Sequence, residues 1–134
     1  MVKRNLWFKV KGIDEEYRMH YEESDLAEKI KRLGYGIYLV PNAKTWHNIE
    51  VSKDNLVYGS VRTNSRAYYS GRNRVLFMKK NASRVQYLIF FLIFLPILTI
   101  YYSYIIIKHG SFSTLKSYWC GLFDGIFVKA YKLY

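Results

Sequence analysis

The chain has 134 residues, enough for one domain, and at 51% apolar and 19% aromatic it is not a disordered tail. Twenty-one Lys and Arg against ten Asp and Glu give a net charge of +11, and the single Cys120 excludes an internal disulfide or a cysteine-based zinc cluster. Charge is distributed unevenly: residues 1–61 carry ten basic and nine acidic groups, 62–84 seven basic and no acidic, 85–107 none, and 108–134 four lysines against Asp124.

Taken in chain order, residues 5–10 predict a helical turn or two stopped by Gly12, and residues 17–21 a short extended piece. Leu26, Ile30 and Leu33 then recur at i, i+4 and i+7 and form one apolar stripe, the signature of a helix. Glu22, Glu23 and Asp25 stand at its head and Lys29, Lys31 and Arg32 near its end, as the helix dipole favours, and Gly34 is placed to cap it. Residues 36–40, Gly-Ile-Tyr-Leu-Val, read as a strand ended by Pro41-Asn42, with a second extended piece at 43–47 and a loop at 52–59. Residues 62–80 predict a basic helix with Tyr69, Val75 and Phe77 among its apolar positions.

Residues 85–107 contain only Gln86, Thr99 and Ser103 as polar interruptions. A helix of that length measures about 34 Å and crosses a ~30 Å hydrocarbon core. A chain this short has too little mass to bury so long an apolar cylinder on every side. Pro96 near its middle predicts either a bent spanning helix or a re-entrant hairpin, and the spanning form is preferred because each hairpin arm has only about eleven residues. Seven cations before the segment against four after it place the N-terminal part on the cytoplasmic face of the cell membrane. Residues 108–134 are left as a basic amphipathic tail.

The basic run at 62–84, with Tyr68, Tyr69 and Phe77 interleaved, has the composition of a nucleic-acid contact. Its position directly before an apolar segment favours anionic lipid headgroups instead, so no nucleic-acid partner is expected. Asn81-Ala82-Ser83 fits a glycosylation pattern but lies on the expected cytoplasmic side. Two features have the residue types for chemistry. The acidic cluster Glu22-Glu23-Ser24-Asp25 offers a general base or cation ligands, against the plainer reading of helix capping. His47 is a lone histidine, more often structural than a ligand.

The order of these elements resembles the second half of the catalytic domain of family 2 glycosyltransferases. The matching residues are Gly12-Ile13-Asp14-Glu15, the aromatic piece at 17–21, Glu22-Glu23-Ser24-Asp25-Leu26 opening a helix, Gly34-Tyr35, Val40-Pro41-Asn42-Ala43 and His47. Tyr68-Tyr69-Ser70-Gly71-Arg72-Asn73-Arg74 is similar to the family's aromatic-x-x-Arg-Asn helix, and Gly121-Leu122-Phe123-Asp124-Gly125 to a short C-terminal segment of many members.

The resemblance implies an α/β chain: a partial nucleotide-diphospho-sugar transferase (GT-A) fold over residues 1–61, then a basic helix at 62–84, the membrane helix at 85–107 and the tail. It implies inverting transfer of a sugar from a nucleotide-sugar donor to a hydroxyl of a glycan or lipid-linked glycan. Glu23 would be the catalytic base, with Glu22 as fallback and Asp25 orienting the acceptor. His47 would help to hold Mg²⁺ or Mn²⁺. Lys11 and Ile13 depart from the family pattern in the acceptor-side loop. The family's metal-binding Asp-x-Asp and donor-binding strands have no counterpart in these residues. The chain is therefore expected to be inactive alone and to need a donor-binding half, in frame or as a separate polypeptide. The other class of reading is a non-enzymatic membrane anchor or adaptor.

Overall fold

The computed structural model describes residues 1–46, 61–109 and 111–127, and among them every regular element is helical. In chain order these are α1 (Arg4–Lys9), a 3₁₀ turn (Glu15–Tyr17), α2 (Glu22–Arg32), α3 (Asn64–Asn81), α4 (Arg84–His109) and α5 (Phe112–Phe127). Local chemistry fixes the boundaries. Thr63 caps α3 by accepting from the Arg66 amide at 3.3 Å. Ser83 and Gln86 close a reciprocal capping box at the head of α4. Within α4 a π turn at Phe90–Phe94 precedes Pro96, widening the helix where the proline ring would meet the preceding turn.

The α/β expectation is overturned: the described residues contain no strand. Residues 17–21 form the end of the 3₁₀ turn and a tight bend. Residues 36–40 and 43–46 have no regular structure, and Ile37 and Leu39 are 55% and 91% exposed. β-branched and aromatic composition gives a segment strand character only when a neighbour accepts its backbone hydrogen bonds, and no described segment does so here. The helices expected at 5–10, from 24 onward and at 62–80 are present, α2 starting two residues early at Glu22. The loop expected at 52–59 and His47 lie outside the described residues.

The tail expected to be basic and amphipathic contains α5, which lies directly against α3. Both helices carry a small-x-x-x-small pair, Ala67/Gly71 and Gly121/Gly125. A methyl group on Gly71 would stand 2.7 Å from the Tyr118 carbonyl, one on Gly125 2.7 Å from the Arg72 carbonyl, and one on Gly121 would overlap the Tyr68 carbonyl. Such pairs let two helix backbones touch. Polar bonds tie the pair along its length. Asn64 donates to Ser113 at 2.8 Å, Thr114 donates to Asn64 at 2.9 Å, Tyr68 donates to Asp124 at 2.6 Å, and Lys79 Nζ reaches the Ile126 carbonyl. Ala67, Val75, Tyr118 and Leu122 meet Phe90, Leu95, Ile105 and Ile106 of α4 in the main core. A smaller cluster of Leu6, Val10 and Ile30, with Leu26 packed against it, joins α1 to α2.

α4 is 26 residues long with a hydropathy of 2.2 over its most apolar window, long and apolar enough to cross a membrane.

Candidate functional site

One face of α3 clamps the segment that leads into α2. Lys80, 7% exposed, reaches Asp14 at 2.8 Å and Glu16 at 2.7 Å, and Arg72 reaches Glu16 at 3.3 Å. Asn73 is fully buried, and its Nδ2 faces the carbonyls of Tyr17 and Met19 at 2.6 Å and of His20 at 3.2 Å. These bonds hold a backbone that would not hold itself. Arg18, His20 and Tyr21 all have positive φ, at 54°, 65° and 70°, a region that non-glycine residues enter at a cost of about 1–3 kcal/mol each. The Arg-Asn pair of the sequence motif is thus the fastener of the loop that presents the acidic cluster.

Burial alone would raise the Asp14 carboxyl, but hydrogen bonds from Lys80 and from the Glu16 amide outweigh it and hold Asp14 below its usual 3.8. The same kind of burial works against the Lys80 ammonium, and its bonds to Asp14 and Glu16 hold it above its usual 10.5. The Asp14 contribution to stability is present above its unfolded pKa and is lost as pH falls through the lower folded value. The Lys80 contribution is present below its unfolded pKa and is lost as pH rises through the higher folded value. Lys80→Met is therefore expected to flatten both limbs of the stability–pH curve, read by urea unfolding at intervals between about pH 3 and 11. Unchanged limbs would show that the pair carries no such linkage.

Beyond the clamp, a cavity of about 290 Å³ is lined by residues 20–24 and by Ser70, Arg74 and Tyr102. Arg74 is only 5% exposed. It donates from Nε to the Tyr21 hydroxyl at 3.3 Å and from Nη1 to the Tyr118 hydroxyl at 3.2 Å, and its guanidinium lies 4.4 Å from the centre of the Tyr102 ring. Among the described residues no carboxylate pairs with it. Glu22 Oε2 and His20 Nε2 are both buried without a hydrogen-bond partner. Burial chiefly, and then repulsion from Arg66 and Arg74 against attraction from Glu22, lower the His20 pKa below 6.5, so the imidazole is neutral at pH 7 and can accept a proton.

The structure therefore brings Glu22 and Glu23 into one cleft and separates Asp25 from them. Asp25 is 2% exposed and faces inward: it accepts from the Tyr17 hydroxyl at 3.2 Å and from Asn81 at 2.9 Å, and meets Lys29 at 2.9 Å. His20, Ser70, Arg74 and Tyr102 were not singled out as site residues from the sequence. Their signals in the sequence are slight: His20 stands two residues before the acidic pair, and Ser70 and Arg74 fall within the Tyr68–Arg74 motif. The basic helix also differs from its sequence reading. Of the seven cations at 62–84, five lie on α3, and of these Arg72, Arg74 and Lys80 are engaged inside the protein and do not face an anionic surface.

Among the described residues no three His, Cys, Asp or Glu side chains converge on a metal-binding point. The side chains that line the cleft offer carboxylate, imidazole and guanidinium chemistry. No family model, curated protein or solved structure matches the chain.

Proposed function

We propose that the chain is the membrane-bound, acceptor-side part of an inverting glycosyltransferase. In this reading Glu22 or Glu23 takes the proton of an acceptor hydroxyl while a separate polypeptide or segment holds the nucleotide-sugar donor. The observation that carries it is the arrangement of the acids. Asp25 faces inward and is committed to Lys29, Tyr17 and Asn81, whereas Glu22 and Glu23 open on a cleft where a Glu22 carboxylate oxygen is buried with neither a hydrogen bond nor an ion pair, beside a neutral imidazole. A carboxylate in that state can take a proton from a hydroxyl brought within about 3 Å. Tyr102 belongs to α4, so the cleft borders the apolar helix, which suits an acceptor presented at a membrane, a glycan or lipid-linked glycan. The cations flanking α4 support placing residues 1–84 on the cytoplasmic face. Any Mg²⁺ or Mn²⁺ would enter with the donor half, and no metal step is assigned to these residues.

The second reading is a non-enzymatic membrane anchor, favoured by α4 itself. There Glu22 and Glu23 merely complement the dipole of α2. One experiment separates the two. Membranes holding the chain together with its donor half are supplied with labelled nucleotide sugar, and Glu22→Gln, Glu23→Gln and the double variant are compared with the parent. The chain alone is expected to form no product. Loss of the base is expected to lower the rate by ~10²–10⁴-fold with helicity unchanged. A double variant that keeps the parental rate would leave the anchor as the surviving reading.

A further inference from the structure

We infer that α4 lies along the membrane surface as an in-plane helix, embedded in one leaflet, and does not cross the bilayer. This concerns the seat of the protein and is independent of what the cleft transfers.

The inference begins with how the ends of α4 are held. Asn64, at the start of α3, is bonded to Ser113 and Thr114 at the start of α5. Lys79, near the end of α3, is bonded to Ile126 near the end of α5. The two helices therefore run parallel and in contact. α4 leaves the end of α3 through Ala82 and Ser83 and returns to the start of α5 within three residues of His109, so its ends are attached to opposite ends of one helix pair. Between those ends it stays alongside the pair. The Arg74 guanidinium lies over the Tyr102 ring, and the Tyr102 ring lies 6.0 Å from that of Tyr118.

A spanning α4 would carry α3 and α5 through the hydrocarbon beside it. Arg72, Arg74, Lys79, Lys80 and Asp124 would go with them, each costly at that depth. Separating α3 from α5 would instead empty the contacts made at Gly71, Gly121 and Gly125. An in-plane helix avoids both. An interfacial helix ordinarily needs a polar face of its own. α4 has none because α3 and α5 cover its inner side, where Phe90, Leu95, Thr99, Ile105 and Ile106 are buried. Its outer side is apolar and open, with Leu92, Ile97, Ile100 and Ile107 between 59% and 71% exposed. Arg84 and Lys108 stand exposed at its two ends, where a cation meets lipid headgroups. On α5, Trp119 and Phe123 are exposed, with ring centres 6.1 Å apart, and are residue types that suit the interfacial zone. The occupant of the open face is thus a single lipid leaflet carrying anionic headgroups.

The test uses the full chain in sealed membrane vesicles of both orientations. In a Cys120→Ser background, single cysteines are placed at Lys9 on α1 and at Lys116 on α5, both exposed. A membrane-impermeant maleimide is expected to label the two sites from the same vesicle face. Labelling from opposite faces means that α4 spans, and overturns the inference. A re-entrant hairpin also labels from one face, so a depth measurement completes the test. Nitroxides at Leu92, Ile97 and Ile100 in phosphatidylethanolamine–phosphatidylglycerol vesicles are expected at one shallow depth, about 5–10 Å below the headgroup boundary. A depth maximum near the bilayer midplane around Ile97 refutes the in-plane helix. So does a chain that stays off the vesicles as a soluble dimer, because a second copy would then cover the face.

Discussion

Gly121→Ala is expected to loosen α3 from α5 and to lower the unfolding free energy by about 2 kcal/mol, the sum of two opposing effects. Alanine in place of glycine inside a helix ordinarily stabilises it by about 1 kcal/mol. Against that, the added methyl overlaps the Tyr68 carbonyl, a backbone atom that cannot rotate away, and overpacking of this kind costs about 1–3 kcal/mol. The upper end applies because Gly121 faces the middle of the contact, with the Tyr68–Asp124 hydrogen bond at 2.6 Å beside it. Gly125→Ala meets the Arg72 carbonyl at 2.7 Å and should be milder. Denaturant unfolding in detergent micelles measures both. A Gly121→Ala chain as stable as the parent, or more so, would show that the backbones do not touch there.

The same contact shows what the sequence made legible. The Gly-x-x-x-Gly of residues 121–125 and the Ala-x-x-x-Gly of 67–71 stood in plain view, but spacing alone does not say that two small-residue ridges face one another. α2 and α4 were readable because their patterns are local: an apolar stripe at helical spacing, and a long uncharged run. The strand expected at 36–40 rests on composition, which cannot supply the neighbour that a strand needs. The acidic pair was found because its carboxylates adjoin at the head of a predicted helix. Arg74 and Tyr102 were not, since they reach the cleft from positions 74 and 102 of two other helices. The cations of α3 mislead for a similar reason. Counting them predicts a lipid-binding surface, whereas Lys80 is committed to Asp14 and Glu16, 66 and 64 residues away.

Asp25→Ala is expected to cost about 3–5 kcal/mol, the usual penalty for removing one partner of a buried ion pair. Asp25 is 2% exposed and Lys29 6% exposed, so the variant leaves an ammonium inside the protein without its direct ion-pair partner. The Tyr17 hydroxyl and the Asn81 amide lose an acceptor at the same time. Replacing both charges, as Asp25→Leu with Lys29→Met, should recover most of the loss, because apolar pairs of similar volume often match a buried ion pair. The comparison also decides what Asp25 is for. On the proposed glycosyltransferase reading, a role in orienting the acceptor would leave the doubly substituted chain stable and still slow with a donor half supplied. If it holds α2 against the 3₁₀ turn and the end of α3, as its partners indicate, the double variant regains rate together with stability. Equal stability of Asp25→Ala and the parent in urea would remove the ion pair from the account of the fold.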